Sequence, residues 1–292
     1  MRKKRKRKPT GAPVDIIVAV YGGLKFLKSL LNTLDQFDAG VPYNLIIADD
    51  CTPNKRGRGE LYKYYDSIQS RPHTKVLRSG QNRGFAGINN WASKKCSAPL
   101  ILFLNSDIEI IEDGWLKHMV DEFDDWSVGV VGAKLIFPED TGGDTKRPAG
   151  TIQHAGVAVN ILGQPFHICV GWPPDDPRVN IRREHQIVTG ACLMVRRNIF
   201  KQVGGFNEIY GPGNFEDCEL CILTQRLGYK VVYQPKAQLV HYAGGSGNTA
   251  TAQKNEQIFR FRMSQLMKYD DYKFALPWKE EYERSEGNLQ TN

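Results

Sequence analysis

An α/β fold built on a parallel sheet is predicted by three features of this chain. Short apolar, β-branched runs at 14–20, 44–48 and 100–104 alternate with segments whose apolar residues recur at helical spacing. Each run stops at turn residues or a polar cluster, the rhythm of strands joined by crossover helices. Finally, 41% of the 292 residues are apolar, enough for one sizeable core.

The run 14–20 reads as a first, central strand closed by Tyr21-Gly22-Gly23. Residues 24–34 carry apolar positions 24, 27, 30, 31 and 34, a helical stripe. A second strand at 44–48 ends in Asp49 and Asp50, a helix follows over 60–67, and a short strand over 74–77. The loop 82–87 leads into a helix through 88–95, and the apolar strand 100–104 ends in Asn105-Ser106-Asp107. Beyond it, strands are expected at 129–137, 152–160, 165–170 and 187–195, with His154 and His167 among them. The loop 172–177, Trp-Pro-Pro-Asp-Asp-Pro, is of the kind that closes over sites. A helix opens at Glu216-Asp217, and two short strands follow at 230–233 and 238–241. Ile258, Phe259, Met263, Leu266 and Met267 then recur at helical spacing. That stripe either packs on the core or docks at a membrane surface.

The formal net charge of +7 is supplied entirely by the seven basic residues from Arg2 to Lys8; the remaining Lys and Arg balance the 32 Asp and Glu. Residues 1–12 therefore read as a disordered basic tail on a neutral body. The tail either solubilises the chain or meets a phosphate-rich surface, nucleic acid or anionic lipid. No stretch nears the roughly 18 apolar residues of a membrane span, and the basic N-terminus, with no apolar stretch behind it, does not read as a secretory signal. Six scattered cysteines fit a reducing cytoplasm. Cys218 and Cys221 lack a second pair or a flanking His to complete a zinc set. The segment 21–26 does not supply GxGxxG, which argues against a dinucleotide cofactor.

Polar groups at the C-terminal ends of parallel strands lie where open α/β sheets bind ligands. Asp107 is the candidate ligand for a hard divalent cation, Mg²⁺ or Mn²⁺, bridging a diphosphate. The competing reading makes 105–107 the cap of a helix starting near Glu112. Glu216 and Asp217 would complement a helix dipole, and a carboxylate there that faces a cleft can also take a proton from an attacking hydroxyl. His241 precedes a Gly/Ser-rich stretch and suits metal or phosphate. Asp49 could accept the imide N–H of a pyrimidine base, with Tyr21 lying against that base.

Together these residues resemble family 2 glycosyltransferases with the GT-A fold, particularly the rhamnosyltransferase-like branch. The segments that carry the resemblance run in order. Val18-Ala19-Val20-Tyr21 is similar to the opening "PVYN" strand, Ile47-Ala48-Asp49-Asp50 to "VVDD", and 82–90 to "NxGFAGxNN". Leu104-Asn105-Ser106-Asp107 stands at the relaxed DxD, and 188–197 resembles "VTGACMLVRR". Gly204 to Glu208, Glu216 to Cys221 and His241 to Ser246 complete the series. The resemblance implies a Rossmann-like nucleotide-binding sheet with a fused acceptor-binding half over 13–250, divided as 13–110 and 111–250, and a C-terminal helical extension at 251–292. It implies donor contacts from Tyr21, Asp49, Asn82, Gly84 and Asn89, with Asn105 and Ser106 beside them. It also implies a cation on Asp107 and His241, Asp217 as general base, and Glu216 orienting acceptor or base. One departure matters: Asn105 replaces the first carboxylate of DxD, which puts more weight on His241.

The expectation is an inverting, metal-dependent enzyme of the cytoplasm, peripheral to a membrane if it touches one. It would move a sugar from a nucleoside-diphosphate sugar to a polysaccharide or glycolipid hydroxyl. The alternatives are an anionic acceptor such as hydroxyl-modified DNA, or a non-catalytic sugar-nucleotide scaffold.

Overall fold

The computed structural model describes residues 13–141, 148–243 and 249–271. The basic tail, most of the stretch after His241 and the distal part of the expected C-terminal extension lie outside those residues. The central strand β1 (Val14–Val20) shows how the layers form. Val14, Ile16, Val18 and Val20 share one core with Leu27, Leu30 and Leu31 of α1 (Leu24–Gln36). Ile17 points to the opposite core. Alternation along a strand thus feeds two apolar layers, one on each face of the sheet.

Next come β2 (Tyr43–Asp49), α2 (Arg58–Ser67), β3 (Thr74–Arg78), α3 (Gly84–Ser93) and β4 (Leu100–Asn105). The four strands pair in parallel in the order β3-β2-β1-β4, the nucleotide-binding type of half-sheet expected from the sequence. β5 (Ile108–Ile110) and α4 (Trp115–Asp121) follow, then β6 (Val128–Ile136), β7 (Ile152–His154), β8 (Val157–Val159), β9 (Pro165–His167) and β10 (Arg183–Glu184). β11 (Cys192–Arg196), α5 (Arg197–Val203), α6 (Glu216–Arg226), β12 (Lys230–His241) and α7 (Thr249–Met263) complete the chain. The long sheet runs β10-β12-β6-β11-β4-β1-β2-β3. β11 enters antiparallel between β4 and β6, so one sheet spans both expected halves. Helices α1, α2 and α4 cover one face, and α3, α5, α6 and α7 the other.

Several expectations are corrected. The helix expected near Glu112 is α4, which begins at Trp115, but β4 runs through Asn105 and β5 lies between it and the helix. Asn105-Ser106-Asp107 is therefore the link between two strands, not a cap. The two short strands after residue 229 are one, β12, interrupted by a register shift between Gln234 and Gln238, where Pro235 lacks the N–H a ladder needs. The strand expected at 187–195 begins only at Cys192, because the residues before it bond to the site instead. The C-terminal stripe packs on the core: Phe259 and Met263 are buried, and Ile258, Leu266 and Met267 lie against the same cluster. Cys218 and Cys221 are likewise buried and free, on the core face of α6. Burial pushes both thiols far from ionisation.

Candidate active site

Asn105 and Asp107 emerge at the C-terminal end of β4, where the parallel half of the sheet opens. His241 is brought to them by β12, whose last residues pair antiparallel with β5 so that His241 faces Ile108. The backbone N–H of Tyr242 donates to the Asp107 carbonyl at 3.0 Å and closes the junction. His241 Nε2 then lies 3.3 Å from Asp107 Oδ1 and 3.2 Å from Asn105 Nδ2. Ser106 is half-buried beside them.

The orientation of this imidazole is fixed by Gln153 of β7. The Gln153 amide nitrogen donates to the His241 carbonyl at 3.1 Å, which turns the amide oxygen toward His241 Nδ1 at 2.6 Å. Nδ1 therefore donates to that oxygen, which leaves Nε2 as the ring nitrogen that faces Asp107 and Asn105. That is the outer-shell arrangement that prepares an imidazole as a metal ligand. A carboxylate oxygen and an imidazole nitrogen fit a divalent cation, with most coordination positions left for other oxygens. Among the described residues, no group of three or more His, Cys, Asp or Glu is set to hold a metal by itself. The pair suits a cation whose remaining ligands arrive with a diphosphate.

Asp217 reaches the residues just before β11, the strand that pairs with β4. Its Oδ2 accepts the Gly190 N–H at 2.6 Å, and its Oδ1 accepts the Cys218 N–H at 2.8 Å. The next residue, Ala191, accepts the N–H of Asn105 through its carbonyl at 2.9 Å. Two residues, Gly190 and Ala191, and two hydrogen bonds thus link the Asp217 carboxylate to the Asn105 backbone, a span on the order of 10 Å. A second track runs parallel to it. Thr189 N–H approaches His154 Nε2 at 3.5 Å, and His154 Nδ1 meets His167 Nδ1 at 3.0 Å. His154 is fully buried, and desolvation, with the neighbouring histidines adding to it, holds its pKa well below the usual range. His167, exposed at the end of β9, lies within electrostatic reach of both Asp217 and His241.

Glu216 differs from its neighbour. It is buried, its Oε2 has no hydrogen-bond partner among the described residues, and desolvation followed by the Asp217 charge pushes its carboxyl up to about 8. The turn before it is strained. Asn214 and Phe215 both adopt positive φ, 81° and 76°, although neither is glycine.

The expected donor residues divide. Tyr21 is exposed just past β1, with the Arg56 guanidinium 4.9 Å from its ring centroid. Asn82 is exposed and donates to the Asp50 carbonyl at 3.3 Å. Three others do not meet the cleft as expected. Asp49 is fully buried; it accepts from Thr52 N and Oγ1, Tyr62 OH and Tyr65 OH, so it braces the β1 turn from beneath instead of facing a base. Asn89 is buried on α3, bonded to the Phe85 carbonyl, because its helical register turns it to the core. Gly84 has φ +70°, and a Cβ there would stand 2.4 Å from the Gly211 carbonyl oxygen; it serves a close backbone approach. Asp50, read from sequence only as a turn residue, grips this loop through the N–H groups of Arg83 (2.7 Å) and Gly84 (3.0 Å). Burial pushes Asp50 up to about 6 against those two bonds. Gln153 and Gly190 were also missed as site residues. Gly190 sits inside a quoted motif, whereas nothing in the sequence distinguishes Gln153.

The model of glycosyl transferase family 2 matches residues 15–204. The chain belongs to that family. Asp217 and His241 lie beyond the matched segment. The chain is 36% identical over 167 residues to O-antigen biosynthesis protein RfbC of Myxococcus xanthus, covering 56% of this chain and 12% of that one. It is 24% identical over 243 residues to N-acetylglucosaminyl-diphospho-decaprenol L-rhamnosyltransferase of Mycobacterium tuberculosis, covering 76% and 72%. The chain spans less than a third of the length of two curated relatives it matches, 29% and 12%. Among solved structures, the mannosyltransferase PcManGT of Pyrobaculum calidifontis, in complex with GDP-Man and Mn²⁺, is similar at TM-score 0.60 and 15% identity, over 89% of this chain and 66% of that one. The fold is thus the GT-A fold, and among the described residues no helix is long and apolar enough to cross a membrane.

Proposed function

We propose that this member of family 2 transfers a glycosyl group, with inversion, from a nucleoside-diphosphate sugar to an acceptor hydroxyl. The observation that supports this reading is the short hydrogen-bonded track from Asp217 through Gly190, Ala191 and Asn105 to His241 and Asp107. It sets a proton acceptor beside a two-residue cation site, at the sheet end where nucleotides bind. Asp107 and His241 would hold a divalent cation, which neutralises charge gathering on the departing diphosphate. Asp217, whose two oxygens accept backbone N–H groups, takes the proton of the attacking hydroxyl. Tyr21, Arg56 and Asn82 border the donor, and Asp50 holds the donor loop in place. Glu216, kept neutral by burial, stands beside the base without a competing charge. Bringing donor and acceptor together supplies at most about 7–11 kcal/mol of barrier reduction.

For the acceptor, the two named relatives point to surface polysaccharide or a lipid-linked sugar, and the structurally similar mannosyltransferase supports Mn²⁺ as the first cation to try. The reading is tested by incubating the chain with UDP-glucose, dTDP-rhamnose and GDP-mannose and scoring nucleotide release and the first-formed anomer by NMR. Release is expected from one donor, dependent on Mn²⁺ or Mg²⁺, with inverted anomeric configuration and with a raised cation requirement in His241→Ala. Retained configuration, or release indifferent to EDTA, would contradict it.

A further inference from the structure

The segment 204–215 leads directly into Glu216-Asp217 and is gripped from two sides. On the donor side, Phe85 N–H donates to the Pro212 carbonyl at 3.2 Å. Asn90 exchanges two bonds with the Phe206 backbone, at 2.8 and 2.9 Å. On the other side stands α7. Asn255, 2% exposed, donates through Nδ2 to the carbonyls of Tyr210 (2.6 Å) and Gly213 (2.7 Å). Phe259 stacks on Phe215 with ring centroids 5.6 Å apart. Arg262 forks onto Glu219 at 2.9 and 2.8 Å, and that carboxylate also takes Tyr210 OH and Asn207 Nδ2.

Residues 255, 259 and 262 share one helical face; Asn255 and Phe259 grip the strained turn before Glu216, and Arg262 grips α6 just after Asp217. Two consecutive non-glycine residues at positive φ cost about 1–3 kcal/mol each and persist only where their surroundings over-determine them. Here the surroundings are α7. The strained turn ends one residue before Glu216 and two before Asp217, whose carboxylate must stay aimed at the Gly190 N–H.

We propose that α7 is a positioning element for the transfer reaction: Asn255 and Phe259 hold the turn that ends in Asn214-Phe215, Arg262 holds Glu219 two residues beyond Asp217, and together they fix where Asp217 meets the acceptor hydroxyl. This rests on the reading of Asp217 as the base. A misplacement of about 1 Å at such a group can cost 10²-fold in rate without touching donor affinity.

The test compares wild type, Asn255→Asp, Arg262→Lys and Asp217→Asn, using the donor that wild type cleaves, with Mn²⁺. Active-site concentration is normalised by calorimetric titration with the matching nucleoside diphosphate. Asn255→Asp keeps size and shape but replaces the donor with an acceptor facing two carbonyls. Its kcat is expected to fall at least about tenfold while donor KM stays within about twofold. Arg262→Lys, which keeps the charge but loses the fork, should fall less and in the same pattern. The proposal is overturned if both variants turn over normally per nucleotide-binding site, or if KM rises as much as kcat falls. It is also overturned, together with the base assignment, if Asp217→Asn retains wild-type turnover. If Asp217→Asn is slow while the two α7 variants are normal, only the positioning role fails.

Discussion

Glu216 and Asp217 are adjacent carboxylates with opposite surroundings. Asp217 receives two backbone N–H bonds; Glu216 is buried with one oxygen unpaired, and its carboxyl is pushed up to about 8. A carboxyl that ionises less readily folded than unfolded makes the native state bind more protons between its ordinary 4.5 and about 8. Its stabilising contribution is therefore full below that window and is lost as pH rises through it. Glu216→Gln mimics the neutral form, so its unfolding free energy should decline less steeply than wild type's between about pH 5 and 8. Parallel curves in urea titrations across that range would contradict the burial argument.

At the scale of elements, the Asp50–Arg83–Gly84 grip and the Gly84–Gly211 approach join the donor loop to the segment that leads to the base. Gly84→Ala would face both a positive φ and a backbone oxygen at 2.4 Å. It should destabilise by more than about 2 kcal/mol and weaken nucleotide binding together. A variant with wild-type urea midpoint and nucleotide affinity would remove the close approach from the account. The strands and helices of the first half were legible because β1, β2 and β4 feed apolar cores on both faces and so read as continuous apolar runs, while α1 shows one stripe. The second half was not. β12 is broken by Pro235, β11 loses its first residues to the site, and β7, β8 and β9 are three residues each, too short for any period to register.

At the scale of the molecule, one sheet carries both expected halves, and the antiparallel β11 sits between them. That placement sets residues 190 and 191 beside 105, and the pairing of β12 with β5 brings 241 to them. The candidate site was legible as an ordered set of polar clusters at strand ends, from which Asp107, Asp217 and His241 were named. What sequence could not give was direction. Asp49 and Asp50 are neighbours on one strand end, yet one carboxylate turns under the sheet and the other toward the loop. Gln153 has no signature beyond its contact with His241.

In the proposed reaction Asp217 takes the acceptor proton beside a donor held at Asp107 and His241. The most direct test of that step is single-turnover nucleotide release by Asp217→Asn, paired with calorimetric donor affinity. Unchanged affinity with release slowed at least roughly 100-fold is the predicted outcome. Release at the wild-type rate from a donor bound equally well would contradict it.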